Sequence, residues 1–96
     1  MRVALIALEA PTLDQIAGWL GDEGHLPRRF DSVSMFAASD ELGEVAVAIC
    51  NGEDSAAVAA AITKGSRLVV IGEDGINADA TLELPLRRRA VLAALT

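Results

Sequence analysis

The chain has 96 residues, 14 acidic against 8 basic, a formal net charge of −6, and a composition that is 52% hydrophobic but only 3% aromatic. That is one domain's length of chain, with enough Ala, Val, Leu and Ile for a core. The acidic balance argues against nucleic acid or an anionic membrane as a partner of this domain, because both require positive charge on the protein. Arg87-Arg88-Arg89 is the one basic concentration. A single cysteine, Cys50, allows no internal disulfide and fits a reducing compartment. No apolar run approaches the ~20 residues that span a bilayer. The run at residues 3–8 is too short for a signal peptide and is stopped by Glu9. The expectation is a soluble, cytoplasmic protein.

Residues 3–8 are six consecutive apolar residues without alternation. A strand buried on both faces reads this way, and such strands belong to parallel sheets covered by helices. Thr12, with Gln15 three residues on, forms a capping-box pattern. Leu13, Ile16, Ala17 and Leu20 follow at helical spacing, and Gly24 is placed to end that helix. Residues 28–32 read as a short second strand. Asp31, Ser32 or Ser34 caps a short helix carrying Val33, Phe36 and Ala37. Residues 45–50 form the next apolar strand, broken by Asn51-Gly52. Asp54 or Ser55 caps an Ala-rich helix over residues 56–63, ended by Lys64-Gly65, where a lysine suits the helix dipole. Residues 67–71 are a further buried strand, 72–80 a loop and 81–84 a strand. Pro85 opens a final helix to Leu95.

Strands alternating with helices at this spacing predict a three-layer α/β sandwich with a parallel sheet. Function in such a sheet sits at the strands' C-terminal ends. The residues there are Glu9, Cys50, Asn51, Glu53, Asp54, Gly72, Glu73, Asp74 and Leu84. A weak cation site would need their carboxylates to converge. Acids at helix starts also serve as caps and dipole partners, which accounts for Glu53 and Asp54. Cys50 is a nucleophile only if a base or cation lowers its pKa. The one histidine, His25, falls at the end of the first helix, toward the opposite edge. No glycine-rich phosphate cradle follows the first strand. Arg87–Arg89 lies where the dipole of the last helix disfavours cations, and arginine is enriched at interfaces.

The order β-α-β-α-β-α-β-loop-β-α resembles the receiver domain of two-component response regulators. The resemblance is carried by residues 2–8 as first strand and by the helix ending in Gly24-His25. Residues 45–50 stand as third strand and residues 68–71 as fourth, and Leu84-Pro85 precedes the last helix. It implies a flavodoxin-like fold with strand order 2-1-3-4-5. Receivers phosphorylate an aspartate at the end of the third strand, a place that maps to Ile49 or Cys50. Their magnesium-holding acidic pair maps to Ala7 and Leu8, their hydroxyl residue to Gly72, and their lysine to Leu84. The resemblance therefore implies a degenerate phosphorylation pocket, a pseudoreceiver, with Leu84 closing beside Ala7 and Leu8 as apolar core. Nine residues separate Ile71 from Thr81, where the family fits a whole helix and two loops. The helix between the fourth and fifth strands is expected to be one turn or absent, leaving the sheet edge at 81–84 less covered.

These readings define a single receiver-like domain over residues 1–96, cut from a larger regulator whose effector would follow the last helix. The expected function is phosphorylation-independent regulation by protein contact, in bacterial signal transduction or transcription control. The partner is a protein, another signalling protein or a second copy in a homodimer. Thr81, Leu86, Arg87, Arg88, Arg89 and the 72–80 loop form the contact surface. No cofactor, metal or catalytic residue is expected. Two other readings stand beside this one. One is a small-molecule sensor at the strands' C-terminal edge, and the other is a small phosphocarrier or enzyme using Cys50.

Overall fold

The computed structural model describes residues 1–62, 65–72 and 78–96. Five strands form one parallel sheet: β1 (Arg2–Ile6), β2 (Leu26–Phe30), β3 (Val47–Asn51), β4 (Arg67–Ile71) and β5 (Ala80–Leu82). Their order is β2-β1-β3-β4-β5, as expected. Four α-helices are present among the described residues: α1 (Ala10–Asp22), α2 (Val33–Ala37), α3 (Ser55–Ala61) and α4 (Arg88–Ala94). Single 3₁₀ turns occupy Leu42–Glu44 and Gly52–Asp54.

The unbroken apolar runs follow from burial on both faces. Side chains alternate across a strand, and the two sets enter different cores. Val3, Leu5, Ile49, Val69 and Ile71 pack with Leu13, Ile16 and Leu20 of α1 and Val91 of α4. Ala4, Ile6, Cys50, Leu68 and Val70 pack with Phe36 of α2 and Val58 of α3. With no polar face to keep wet, the strands need no hydrophilic alternation.

Several boundaries differ from the sequence reading. β1 ends at Ile6, not Leu8, because Ala7 turns to a positive φ of 53° and leaves the extended region. α1 begins earlier than the Thr12–Gln15 pattern implied. Glu9 is its N-cap without a side-chain bond, Pro11 lies in its first turn and Thr12 is already inside. Proline favours that place because its missing N–H has no partner there anyway. The end of α1 is as read. Gly24 (φ 80°) donates its N–H to Gly21 C=O at 3.1 Å, and His25 N–H reaches Leu20 C=O at 3.0 Å. This pair of bonds satisfies the last carbonyls of the helix.

β2 runs two residues earlier than read, Leu26–Phe30 rather than 28–32. Ser32 is the cap of α2, its Oγ accepting the Met35 N–H at 3.1 Å. β3 is shifted later, to Val47–Asn51, so Asn51 completes the strand rather than breaking it. Neither Asp54 nor Ser55 caps α3 with its side chain. Ser55 is the first helical residue, and its hydroxyl donates to Gly52 C=O at 2.8 Å. α3 ends earlier than the 56–63 reading, at Ala61, because its C-cap Ile62 has left the helical region for an extended conformation (φ −70°, ψ 150°). Thr63 and Lys64 lie outside the described residues. β4 matches its reading.

β5 covers Ala80–Leu82, not 81–84. Its N-terminal approach is set by Asp79, whose N–H donates to Leu68 C=O at 2.8 Å while its Oδ2 accepts the Leu68 N–H at 2.8 Å. α4 starts at Arg88 with Arg87 as N-cap, so Pro85 precedes the helix and does not open it. The far end of α4 is held by Arg67, whose Nε donates to Ala94 C=O at 2.6 Å. The expectation of a shortened helix between β4 and β5 falls on residues 73–77, outside the described residues.

Candidate functional site at the C-terminal edge of the sheet

Parallel strands deliver their C-terminal residues to one edge, and the registers fix which ones meet. Leu5 pairs with Ile49, so two residues further on Ala7 lies level with Asn51. Asn51 pairs in turn with Ile71, and Ile71 with Leu82. The edge thus carries Ala7, Asn51, Gly72 and the residues after Leu82. Ala7 N–H donates to Phe30 C=O at 2.9 Å, and Ala7 C=O accepts from Asn51 Nδ2 at 3.4 Å. A non-glycine residue at positive φ is uncommon and costs strain. Here it is held between β2 and β3. Gly72 has φ 90°, a conformation that favours glycine, and donates its N–H to Leu82 C=O at 2.8 Å.

The residue at the end of β3 is Asn51, where the sequence reading placed Ile49 or Cys50. Both of those are completely buried, on opposite faces of the sheet, and neither reaches the edge. In the sequence Asn51-Gly52 carries a turn signal, which points to a strand break at Asn51. Its place became legible only through the pairing with Ile71.

Leu84 also departs from expectation. It is 68% exposed and does not close over Ala7 and Leu8 as core. A cleft of about 300 Å³ stays open between Leu8, Glu9, Thr12, Asn51, Glu53, Ile71 and Leu84. Gly72, Thr81, Glu83 and Leu84 line an adjoining space of about 460 Å³. Leu84 therefore lies between two open spaces. The structure brings Leu8, Asn51 and Leu84 together, and Gly72 with Leu84.

The receiver resemblance implies a magnesium ion here, and the residues that map to its ligands do not supply the carboxylates. Magnesium takes one or two carboxylates with further oxygen donors in a tight octahedron. Ala7 and Leu8 offer no side-chain oxygen, and Asn51 offers an amide; the carboxylates that line the cleft belong to Glu9 and Glu53. Among the described residues no three acids, histidines or cysteines are grouped to hold a metal. Glu73 and Asp74 lie outside the described residues.

Cys50 is pushed up to about 12 from 9.0, first by burial and then by the charge of Asp54. A reactive thiol needs the opposite shift. At pH 8 the native protein should therefore react with iodoacetamide about a thousandfold more slowly than an unhindered thiol, through its lower thiolate fraction alone. Denaturant should restore ordinary reactivity. Mass spectrometry of both samples tests this, and fast labelling of the native chain would contradict the geometry. The same shift bears on stability. The unfolded chain loses this proton from about pH 9.0 and the folded one near 12, so the contribution is intact below 9 and is lost as pH rises toward 12.

The predicted contact residues gather at the β5–α4 side. Thr81, Arg87, Arg88 and Arg89 are exposed. Arg88 reaches across to α1, with Nη2 3.0 Å from Glu23 Oε1. Arg87 and Arg89 make no ion pair among the described residues. Leu86 is only half available, because it packs against the core under α1 and α4. A groove of about 360 Å³ lies beside β5, lined by Thr81, Leu82, Glu83, Leu84, Pro85, Arg87 and Ala90. No described helix is long and apolar enough to cross a membrane.

Solved structures of response regulator receiver proteins share this arrangement. A response regulator receiver protein from Pseudoalteromonas atlantica superposes with TM-score 0.77 at 13% identity, over 99% of this chain and 93% of that one. One from Burkholderia phymatum gives 0.72 at 19% identity, over 98% and 94%. NtrX from Brucella abortus, in complex with ADP, gives 0.69 at 17% identity over 98% of this chain. This chain spans only about a quarter of that protein, 26%. No family model matches the sequence, and no curated protein does. The fold is that of a response-regulator receiver.

Proposed function

We propose that this receiver-fold chain is a regulatory module of two-component signalling that works by protein contact and without phosphorylation. The observation that carries the reading is Asn51. An acyl phosphate forms on a carboxylate oxygen, and the end of β3 presents an amide. Leu8 and Leu84 stand beside it in the same cleft, where a phosphoryl group would need cationic or metal partners. What the surface offers instead is the β5–α4 side, with an exposed leucine and two arginines that make no ion pair among the described residues. Exposed arginine next to apolar surface suits an interface.

Two measurements test the two halves of this reading. Incubation with acetyl phosphate and magnesium should leave the intact mass unchanged. The gain of one phosphoryl group would sink phosphorylation independence. Arg87→Glu combined with Arg89→Glu should weaken association about tenfold or more, because charge at an interface sets complementarity. Light scattering over a wide concentration range reads self-association, and the melting temperature should stay nearly constant. A dimer that the double variant leaves intact would remove this face from the assignment. Arg88 is left in place because its ion pair with Glu23 ties α4 to α1.

The cleft at Asn51 supports a second reading, a small-molecule sensor. Its size of about 300 Å³ is at the lower limit of ligand pockets. A ligand there would raise the melting temperature with concentration. The buried, protonated Cys50 speaks against a phosphocarrier or thiol enzyme.

A further inference from the structure

The two edges of the sheet are built differently. On β2, Leu26 N–H donates to Met1 C=O and Phe30 C=O accepts from Ala7 N–H, both at 2.9 Å. Leu26 and Phe30 therefore turn their backbone groups inward, to β1. Alternation along the strand then turns Pro27 and Arg29 outward. Proline has no N–H to offer another strand, and the adjacent arginines are exposed and charged. Proline and charge are how natural edges are protected from further pairing.

Among the described residues β5 carries no such block. Gly72 N–H donates to Leu82 C=O, so Leu82 turns inward and Thr81 turns its N–H and C=O outward. Thr81 is exposed. Beside it runs the groove of about 360 Å³, with Leu84 68% exposed and Arg87 without an ion pair among the described residues. One edge is closed by proline, while the other presents the outward backbone groups of Thr81, then the exposed Glu83 and Leu84, with the cation of Arg87 also lining the groove.

We infer that β5 is a strand-addition site: an extended, acid-containing peptide segment of a partner protein lies along its outer edge. The segment pairs its backbone with Thr81, rests an apolar side chain on Leu84 and brings an acidic side chain to Arg87. Backbone bonds supply affinity in this mode, and alternate side chains supply specificity. A second copy fits less well. Antiparallel pairing of two copies about Thr81 sets Glu83 of one chain opposite Asp79 of the other, and like charges opposite one another destabilise a sheet. The inference rests on the proposed contact face and adds to it the mode of contact and the chemistry of the partner.

The test selects binders to the whole chain from a displayed library of random dodecapeptides. The best are synthesised twice, once as selected and once with alternate backbone amides N-methylated. Enriched peptides should carry Asp or Glu. N-methylation should weaken binding about tenfold or more, because it removes the donors that pair with the edge. Bound peptide should slow hydrogen exchange of the Thr81 amide about tenfold or more. Arg87→Glu should cost the acidic peptides most of their binding. No enrichment, enrichment without acids, or indifference to N-methylation overturns the inference. So does Thr81 protection in a concentration-dependent dimer of the chain alone, which assigns the edge to a second copy. If Arg87→Glu weakens association while N-methylation has no effect, strand addition is lost and the contact face stands.

Discussion

Truncating Phe36 to alanine should lower the free energy of unfolding by about 3–5 kcal/mol, the range for a buried aromatic removed from a core. The whole domain has on the order of 5–15 kcal/mol to lose, so this one change brings it near the limit of folding. Phe36 has no exposed surface and meets Phe30 edge to face, with ring centroids 5.3 Å apart. The chain has only two phenylalanines and one tryptophan, so no other large ring can move in. The helix that carries it is five residues long, Val33–Ala37. Such a helix is too short to form on its own and depends on what it buries. Urea denaturation gives the number, and a loss below ~1 kcal/mol would mean that the space collapses after truncation.

Replacing Asp79 by alanine should cost about 1.5–3 kcal/mol, since it removes a charged acceptor from a buried amide. That amide belongs to Leu68, which is 1% exposed, and Asp79 Oδ2 receives it at 2.8 Å. With Asp79 N–H bonded to Leu68 C=O as well, this one residue continues the sheet ladder past the start of β5. An asparagine side chain retains an acceptor oxygen, so Asp79→Asn should lose clearly less. Hydrogen exchange at the Leu68 amide separates the two variants. Equal protection in wild type and Asp79→Ala would show that the bond contributes nothing. If instead the alanine variant frays β5, peptide binding at Thr81 should weaken as well, which links this residue to the proposed edge.

The strongest sequence signals were those in which one residue type does one physical task. Gly24 ended α1 where glycine's access to positive φ was needed. A capping side chain before α2 was legible too, and of Asp31, Ser32 and Ser34 it is Ser32 whose hydroxyl accepts the bond. β4 matched its reading because both ends of its apolar run are marked by polar or glycine residues. Boundaries failed where two signals competed. Thr12 and Gln15 imitate a capping box, but Pro11 already belongs to the helix. The 81–84 strand was read too long because hydropathy cannot say where a ladder loses its partner.

The sequence alone determined the layers and the parallel sheet, while the order of strands followed from the resemblance to receivers. Buried parallel strands must be apolar throughout, helices must have one apolar stripe, and crossovers have one hand. These are local or topological constraints, legible residue by residue. The chemistry of the edge was decided only in the tertiary structure. Whether Ile49, Cys50 or Asn51 ends β3 depends on pairing with Ile71, a residue on a different strand. Whether Leu84 is buried depends on how β5 leaves the sheet, and it emerges 68% exposed. Register and exposure are properties of several segments at once, and no single stretch of chain contains them.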